Sequence, residues 1–156
     1  MQPNYTQIND NIKQGQYRKL GEGSGRLVYD MGNGLVIKYG RNQKGMAQNE
    51  QENEIFHIRI NPLLAIVIGK SQDNRILVME KADPYFKPIY LCEYYRISNM
   101  RELLTIPEVK RLVEDYHLVG TDLVKLSSWG EARQRPVLID YGFSIQVRHR
   151  YYNGFF

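Results

Sequence analysis

Three features of the sequence carry residue types that can do chemistry. The first is a glycine-rich turn at Gly21–Gly25, where free backbone N–H groups can approach phosphate oxygens. The second is Lys38, which follows the apolar residues Val36 and Ile37 and is expected to face inward from a strand. The third is Asp140, an acid placed where the apolar run 137–139 ends. Together these features favour a site for a phosphate-bearing ligand.

An inward-facing lysine needs an anionic partner, because burial penalises its charged form. The segment after Lys38 offers three glutamates, Glu50, Glu52 and Glu54. Glu52 is favoured because it lies one helical turn before the apolar residues at 55 and 56, on the same side of a helix. Glu50 and Glu54 stay open as alternatives.

The elements that must position these residues are short strands and one helix. The dipeptide Asn33-Gly34 favours the tight turn of a hairpin. Five strands are predicted, at Tyr17–Leu20, Arg26–Met31, Leu35–Tyr39, Leu63–Ile68 and Arg75–Met79. A polar, helix-compatible segment at Gly45–Ile58 lies between the third and the fourth of them. The first half is therefore predicted to be an antiparallel sheet with one helix.

The second half begins with helix after a break at Pro84–Pro88. A short helix is predicted at Asn99–Leu104, and Thr105-Ile106-Pro107-Glu108 has the spacing of a capping box that starts another helix. An apolar stripe on that helix is formed by Val109, Leu112, Val113 and Tyr116. A strand pair is then predicted at Val124–Trp129 and Pro136–Ile139, around the turn Gly130–Arg135.

Composition and charge bound the class of protein. The chain has 156 residues, 42% apolar and 24% charged, which is typical of one soluble globular domain. The single cysteine, Cys92, excludes an internal disulfide and suits a reducing cytoplasm. The longest apolar run, Leu63–Ile68, is too short for a membrane span of about 20 residues. The segment Met1–Leu20 lacks the charged and apolar parts of a signal peptide.

The sequence gives less support to a zinc site and to a nucleic-acid-binding site. His57, His117 and His149 have no spacing with Cys92 that suggests a zinc site. The formal charge of +4 is mild, and basic and aromatic residues interleave only at Arg148–Tyr152. A small nucleic-acid binder that uses this patch is an alternative, and it predicts binding with a steep salt dependence.

The order of the chemical residues resembles that of the protein-kinase fold. The glycine-rich turn comes first, then Lys38 on a strand, Glu52 on a helix and Asp140-Tyr141-Gly142 after a late strand. The resemblance implies ATP and Mg²⁺ as cofactors, with Lys38 on the α- and β-phosphates and paired with Glu52, and with Asp140 on the metal. The residues that would cover the nucleotide are Gly21, Gly23, Ser24, Gly25 and Val28. The third glycine comes one place earlier than in the family pattern G-x-G-x-x-G-x-V.

The resemblance also covers the adenine side of the site. Leu77–Ala82 is similar to the family's fifth strand, which runs into the hinge that meets adenine. By this resemblance, Met79 occupies the gatekeeper position of the family. The backbone of Glu80 and Ala82 would supply the hydrogen bonds to adenine.

The catalytic loop is the part that departs most from the family. Asp122 stands where the aspartate of H-R-D-L would be, eighteen positions before Asp140, and is the candidate catalytic base. Gly120 and Thr121 replace the His and Arg of that motif. Ser127 stands in place of the Mg²⁺-binding asparagine and is a poorer ligand, because a neutral hydroxyl binds Mg²⁺ less well than an amide carbonyl.

The fold implied by the resemblance is α+β and protein-kinase-like. An N-lobe over about residues 1–82 would hold a five-stranded antiparallel sheet with one helix, and about 83–156 would form a minimal, mostly helical C-lobe. Only fourteen residues follow Gly142, so the family's later helices are expected to be absent. The G-S-G-R-x-V-Y turn and the segments Ala47–Glu50 and Ser127–Gly130 look similar to small kinase-like proteins encoded by bacteriophages.

Two functions follow from this resemblance. One is a minimal phosphotransferase that moves the γ-phosphoryl group of ATP to a serine or threonine hydroxyl or to itself. The other is a pseudokinase that inhibits or regulates a protein partner without phosphotransfer, a host protein if the chain is phage-encoded. Both imply a nucleotide and a protein as partners rather than nucleic acid or a membrane, and both leave a homo-oligomer open. The expected compartment is the cytoplasm, that of the host for a phage protein.

Overall fold

The computed structural model describes residues 2–152 and divides the chain into two compact units. The first unit consists of Met1–Ile60 and Ile66–Lys81, and the second of Asn61–Ala65 and Ala82–Phe156. Met1 and residues 153–156, which belong to the two expected lobes, lie outside the described residues. None of the helices within residues 2–152 is long and apolar enough to cross a membrane.

The centre of the first unit is a five-stranded antiparallel sheet. Its strands, in the spatial order β1-β2-β3-β5-β4, are β1 (Arg18–Glu22), β2 (Arg26–Gly32), β3 (Leu35–Gly40), β4 (Val67–Lys70) and β5 (Ile76–Glu80). Asn33 and Gly34 join β2 to β3 with φ values of 50° and 78°, the conformation of a tight hairpin turn. The prediction of an α+β fold with this sheet is confirmed.

Two helices cover the two faces of this sheet. Side chains alternate along β3, so Ile37 and Lys38 point to opposite faces. Ile37 packs against Ile8 of helix α1 (Tyr5–Lys13). Helix α2 (Gln43–Ile58) packs on β3, β4 and β5 from the side of Lys38. The lysine therefore faces the helix that carries the three glutamates.

Helix α1 is an element that the sequence pattern did not predict. Asn4 caps it, because Asn4 Oδ1 accepts a hydrogen bond from Gln7 N at 3.0 Å. Ile8 is its buried residue, and Tyr5 and Ile12 pack against the same apolar cluster. The apolar residues at 5, 8 and 12 were a signal for one helix face. The rest of the segment is polar, and burial against the sheet is what stabilises so short a helix.

The second unit combines short helices with a small sheet. The helices are α3 (Pro88–Tyr95), α4 (Pro107–Tyr116), α5 (Gly120–Leu123) and α6 (Ile145–Tyr152), with 3₁₀ helices at Met100–Thr105 and Leu126–Ser128. Three antiparallel strands, β6 (Asp83–Pro84), β7 (Trp129–Ala132) and β8 (Arg135–Leu138), lie side by side in that order. Trp129 and Tyr141 are the largest fully buried side chains of this unit.

The fourth strand of the first unit differs from the prediction. The sequence predicts a strand at Leu63–Ile68, but β4 begins only at Val67. Residues 63–65 instead pair with Leu138 in the second unit, where Leu138 N donates to Leu63 O at 2.7 Å and Ala65 N donates to Leu138 O at 2.9 Å. The first part of the predicted strand is therefore wrong. An apolar run indicates burial, but it does not say which partner the backbone will pair with.

The secondary structure of the second half also differs from several local predictions. The capping box is wrong, because Thr105 Oγ1 donates to Glu102 O at 2.6 Å and the N-cap of α4 is Ile106, whose side chain cannot accept a hydrogen bond. Helix α4 starts instead with a proline at its first position, where the missing N–H costs nothing. The predicted strand Val124–Trp129 is wrong except for its last residue, since a 3₁₀ helix precedes β7. Helix α3 begins at Pro88, the last residue of the predicted break, and was not predicted.

Candidate functional site

Lys38 and Glu52 form a buried ion pair in the first unit. Lys38 Nζ lies 2.9 Å from Glu52 Oε2 and 3.0 Å from Glu52 Oε1. Lys38 is 6% exposed and Glu52 is 0% exposed. Glu50 and Glu54 are exposed, so of the three glutamates the structure places Glu52 beside the lysine. The spacing decides this, because Asn49, Glu52 and Ile55 recur every three residues along the buried face of α2.

A second cation, Arg26, binds the same carboxylate. Arg26 Nη2 donates to Glu52 Oε1 at 3.0 Å, and Arg26 Nη1 lies 3.0 Å from Glu52 Oε2. This fork-shaped contact is the geometry that a guanidinium provides and an ammonium does not. Arg26 is the first residue of β2, directly after the glycine-rich turn, and is buried. Arg26 was not predicted from the sequence; the signal was a basic residue where the family pattern has its third glycine.

Asn49 completes a buried polar group that we call the Glu52 cluster: Arg26, Lys38, Asn49 and Glu52. Asn49 Oδ1 accepts from Arg26 Nη1 at 3.2 Å. Asn49 Nδ2 lies within hydrogen-bonding distance of three backbone carbonyl oxygens, those of Lys38 at 3.1 Å, Asn74 at 2.9 Å and Arg75 at 3.2 Å, which its two N–H groups share. The amide thus ties α2 to β3 and to the turn before β5, and it fixes the guanidinium of Arg26.

The carboxyl group of Glu52 is ionised despite its burial. Burial alone would raise its pKa, because a carboxylate loses its hydration. The charges and hydrogen bonds of Arg26 and Lys38 outweigh this effect, so the pKa of Glu52 lies below the ordinary value for glutamate. Both cations therefore face a negative charge at neutral pH.

The glycine-rich turn is held at its base by hydrogen bonds to its carbonyl groups. Asn42 Nδ2 donates to Ser24 O at 2.9 Å, and Arg41 N donates to Gly25 O at 2.9 Å. Gly23 N donates to Arg26 O at 2.8 Å and so closes the turn itself. The N–H of Gly23 is therefore engaged within the turn, so the expectation of free backbone donors does not hold at this position.

Gly25 and Gly45 lie backbone to backbone. A Cβ on Gly45 would overlap the carbonyl oxygen of Gly25, and a Cβ on Gly25 would lie 2.9 Å from Gly45 N. Only residues without side chains allow the turn to approach the N-terminal part of α2 so closely. The early third glycine thus has a packing role, and the next position is left to Arg26.

We expect Gly45→Ala to lower the melting temperature by roughly 3–10 °C, because overpacking costs about 1–3 kcal/mol in a chain of this size. An alanine inside a helix ordinarily stabilises by about 1 kcal/mol, so a loss would identify the clash. Gly23→Ala is the matched control, since nothing lies within 4 Å of its Cβ position. Thermal unfolding followed by circular dichroism measures both variants, and equal shifts would refute the close approach.

The other residues predicted to contact the nucleotide, Val28 and the adenine-side residues Met79, Glu80 and Ala82, lie in and directly after the sheet. Val28 pairs with Lys38 in the register of β2 and β3. Met79 is fully buried in β5, and Glu80 ends that strand. Glu80 N donates to Ile66 O at 2.8 Å, and Glu80 Oε1 accepts from Ile66 N at 2.9 Å. Ala82 is half-buried and begins the main segment of the second unit. The contacts of Val28 with the nucleotide, and those of the other three residues with adenine, remain predictions.

Asp122 lies in the short helix α5 of the second unit. Lys125 Nζ donates to Asp122 Oδ1 at 2.7 Å, and this hydrogen bond is the main cause that raises the pKa of Lys125. Ser128 is buried, and its hydroxyl donates to the backbone carbonyl of Asp122 at 2.6 Å. Trp129 Nε1 donates to Leu123 O at 2.7 Å. Residues 122–129 therefore form a closed turn that fixes Asp122, whereas the side chain of Ser127 is exposed.

Asp140 follows β8 and lies close to the same turn. Ile139 N donates to Ser128 O at 2.9 Å. The charge of Asp140 adds to the effect of Asp122 in raising the pKa of Lys125, so both carboxylates lie within electrostatic reach of this lysine. Tyr141 is fully buried and donates its hydroxyl to Ala65 O at 2.9 Å. The second unit thus joins Asp122 to Lys125, and Asp140 follows a residue that bonds to the same turn. Lys125 was not among the residues predicted from the sequence.

The comparisons with known proteins concern the fold. No family model and no curated protein matches the sequence. Among solved structures, the chain is similar to APH(2")-IIa in its ternary complex with streptomycin and ATP, with a TM-score of 0.50 at 12% sequence identity. The match covers 88% of this chain and 69% of that chain. That protein is a phosphotransferase of protein-kinase-like fold. This chain therefore has a protein-kinase-like fold.

Proposed function

We propose that this chain binds Mg-ATP and transfers its γ-phosphoryl group to a serine or threonine hydroxyl, either of a protein substrate or of the chain itself. The observation that carries the proposal is the buried Lys38–Glu52 pair, which lies next to the glycine-rich turn in a kinase-like fold. Removing two charges from water costs free energy that apolar residues would not cost. Such a pair beside a turn of this type favours a functional site over simple packing.

In this proposal most of the residues that contact the nucleotide belong to the first unit. The ammonium group of Lys38 contacts the α- and β-phosphates, and the Gly21–Gly25 turn lies over them. Met79 lines the adenine site, and the backbone of Glu80 and Ala82 bonds to the base. Residues 1–82 would correspond to a kinase N-lobe, and 83–156 to a C-lobe.

A magnesium ion would accompany the nucleotide rather than reside in the protein. Within residues 2–152, no group of three or more His, Cys, Asp or Glu side chains could hold a metal ion. Mg²⁺ in such sites takes one or two carboxylates together with phosphate oxygens, and the half-buried carboxylate of Asp140 fits that donor set. Ser127 is the second proposed ligand. The bound ion would neutralise charge on the phosphates.

The second unit supplies the transfer chemistry. The acceptor hydroxyl oxygen bonds to the γ-phosphorus while the bond to the β–γ bridging oxygen breaks, and ADP leaves. The proton of the hydroxyl passes to the carboxylate of Asp122, which Lys125 orients through its 2.7 Å hydrogen bond. The charge of Lys125 also stabilises the negative charge of the transferring group.

A second candidate function is that of a pseudokinase that regulates a protein partner. Ser127 and Ser128 stand where the family has its metal-binding asparagine, and the hydroxyl of Ser128 is already bonded to the carbonyl of Asp122. Phe86, Ile89, Tyr90 and Tyr94 form an exposed apolar surface on and before α3, with exposures of 51–86%. A bacteriophage origin would make that partner a host protein of the cytoplasm.

We expect Lys38→Ala and Asp140→Asn each to weaken Mg-ATP binding at least about 10-fold, or about 1.4 kcal/mol. The first removes a charge that contacts phosphate, and the second removes the charge of the carboxylate that is proposed to bind the metal. Calorimetry measures binding, and transfer of labelled γ-phosphate measures chemistry. The exposed Lys110→Ala and Asp115→Asn are the matched controls.

The outcome also separates the two candidate functions. Wild-type binding with transfer supports the phosphotransferase, and binding without transfer supports the pseudokinase. If the wild type does not bind millimolar Mg-ATP, the proposed nucleotide site is wrong.

A further inference from the structure

The Glu52 cluster contains one more cation than a lysine–glutamate pair requires. We propose that Arg26 is a positioning residue of the phosphate site, which keeps Glu52 paired and in place when Lys38 moves its charge toward the phosphates. This inference rests on the proposed function, because it assumes that Lys38 binds phosphate. This role accounts for an arginine at the position where the family pattern has its third glycine.

The geometry shows that the orientation of Glu52 does not depend on Lys38 alone. Arg26 contacts both carboxylate oxygens, at 3.0 Å each. Asn49 fixes the guanidinium from the same helix as Glu52, through the bond from Arg26 Nη1 at 3.2 Å. A planar guanidinium with two such contacts is held rigidly, whereas the ammonium of Lys38 ends a flexible stem.

The need for a second cation follows from the burial of Glu52, which is 0% exposed. With Lys38 as its one cation, every contact that the ammonium made with phosphate would weaken its contact with Glu52. A buried carboxylate that loses its partner is strongly destabilising. Arg26 removes this competition, since it stays on Glu52 while Lys38 serves the nucleotide.

Arg26 also connects the glycine-rich turn to helix α2. Gly23 N donates to Arg26 O at 2.8 Å, so the backbone of Arg26 closes the glycine-rich turn while its side chain holds α2. The turn, the lysine and the glutamate are thus joined within one unit before any ligand binds. Such preorganisation lowers the cost of binding.

The first test uses protein stability and needs no nucleotide. Arg26→Met and Lys38→Met each leave Glu52 one of the two cations of the Glu52 cluster, so we expect each to lower the melting temperature by less than about 6 °C. The double variant removes both cations and should fall at least about 10 °C below the sum of the two single shifts. Arg18→Met, which loses an exposed ion pair with Asp30, is the control and should shift by less than about 2 °C.

The second test measures Mg-ATP binding by calorimetry. Lys38→Met should lose affinity at least about 10-fold, and Arg26→Met should lose roughly 3- to 10-fold while remaining folded, because Lys38 must then serve both Glu52 and the phosphates. Arg26→Lys restores a charge without the fork, so it should recover most of the stability and part of the affinity. A structural role of Arg26 alone would change stability and leave affinity unchanged.

The outcomes distinguish this inference from the proposed function. Additive stability effects in the double variant, or wild-type affinity in Arg26→Met, would overturn the inference even if the wild type binds Mg-ATP. Failure of the wild type to bind would overturn the proposed function and the positioning role with it, while strong coupling of the two cations would still stand. If the double variant does not fold, adding Glu52→Met should restore folding; a triple variant that stays unfolded contradicts the inference.

Discussion

Replacing Glu52 by glutamine is expected to lower the melting temperature by about 10 °C or more. The substitution keeps the shape of the side chain but leaves Arg26 and Lys38 buried against a neutral amide. Breaking a buried charge pair by removing one partner costs about 3–5 kcal/mol. Each kcal/mol shifts the melting temperature of a chain of this size by about 2–4 °C. Thermal unfolding at neutral pH measures the effect.

The controls for this prediction lie on the same helix. Glu50→Gln and Glu54→Gln change exposed side chains and should shift the melting temperature by less than about 2 °C. Comparable losses in all three variants would show that Glu52 does not hold the cluster together.

The same variant should also respond differently to pH. The pKa of Glu52 lies below the ordinary value, so its contribution to stability is complete above the pKa of the unfolded chain and is lost as the pH falls through the folded value. The difference in melting temperature between wild type and Glu52→Gln should therefore shrink below about pH 4. A difference that stays constant or grows with acid would contradict the ionised state of Glu52.

Asp122→Asn should lower the rate of γ-phosphoryl transfer at least about 100-fold, the typical contribution of a positioned general base. The amide cannot accept the proton of the acceptor hydroxyl, and it no longer pairs with Lys125 as a charge. Affinity for Mg-ATP should change less than about 3-fold, since the carboxylate acts on the acceptor rather than on the nucleotide. Single-turnover transfer at saturating Mg-ATP measures the rate, and calorimetry measures the affinity.

Asp115→Asn is the matched control, because Asp115 is an exposed aspartate of helix α4. An unchanged transfer rate in Asp122→Asn would show that Asp122 is not the base. A fall in nucleotide affinity equal to the fall in rate would instead place Asp122 in the nucleotide site.

Local sequence patterns predicted the parts of the fold that depend on near neighbours. Asn33-Gly34 indicated the β2–β3 hairpin because its backbone favours the positive φ of that turn, and the spacing within α2 placed Glu52 on the face of Ile55. The apolar run at residues 63–68 was interpreted as one strand, yet it is divided between two units. The choice between β5 and Leu138 as its hydrogen-bond partner is made by long-range contacts, which the run itself does not encode.

For the candidate site, too, the sequence determined some features and the tertiary structure decided others. The sequence by itself determined which residues carry charge, where the glycines lie, and that Lys38 faces inward and needs a carboxylate. Only the tertiary structure decided that Arg26 shares that carboxylate and that Gly25 packs against Gly45. These contacts join residues up to 26 positions apart, and their energies depend on burial and distance. Both quantities exist only once the strands and helices have packed together.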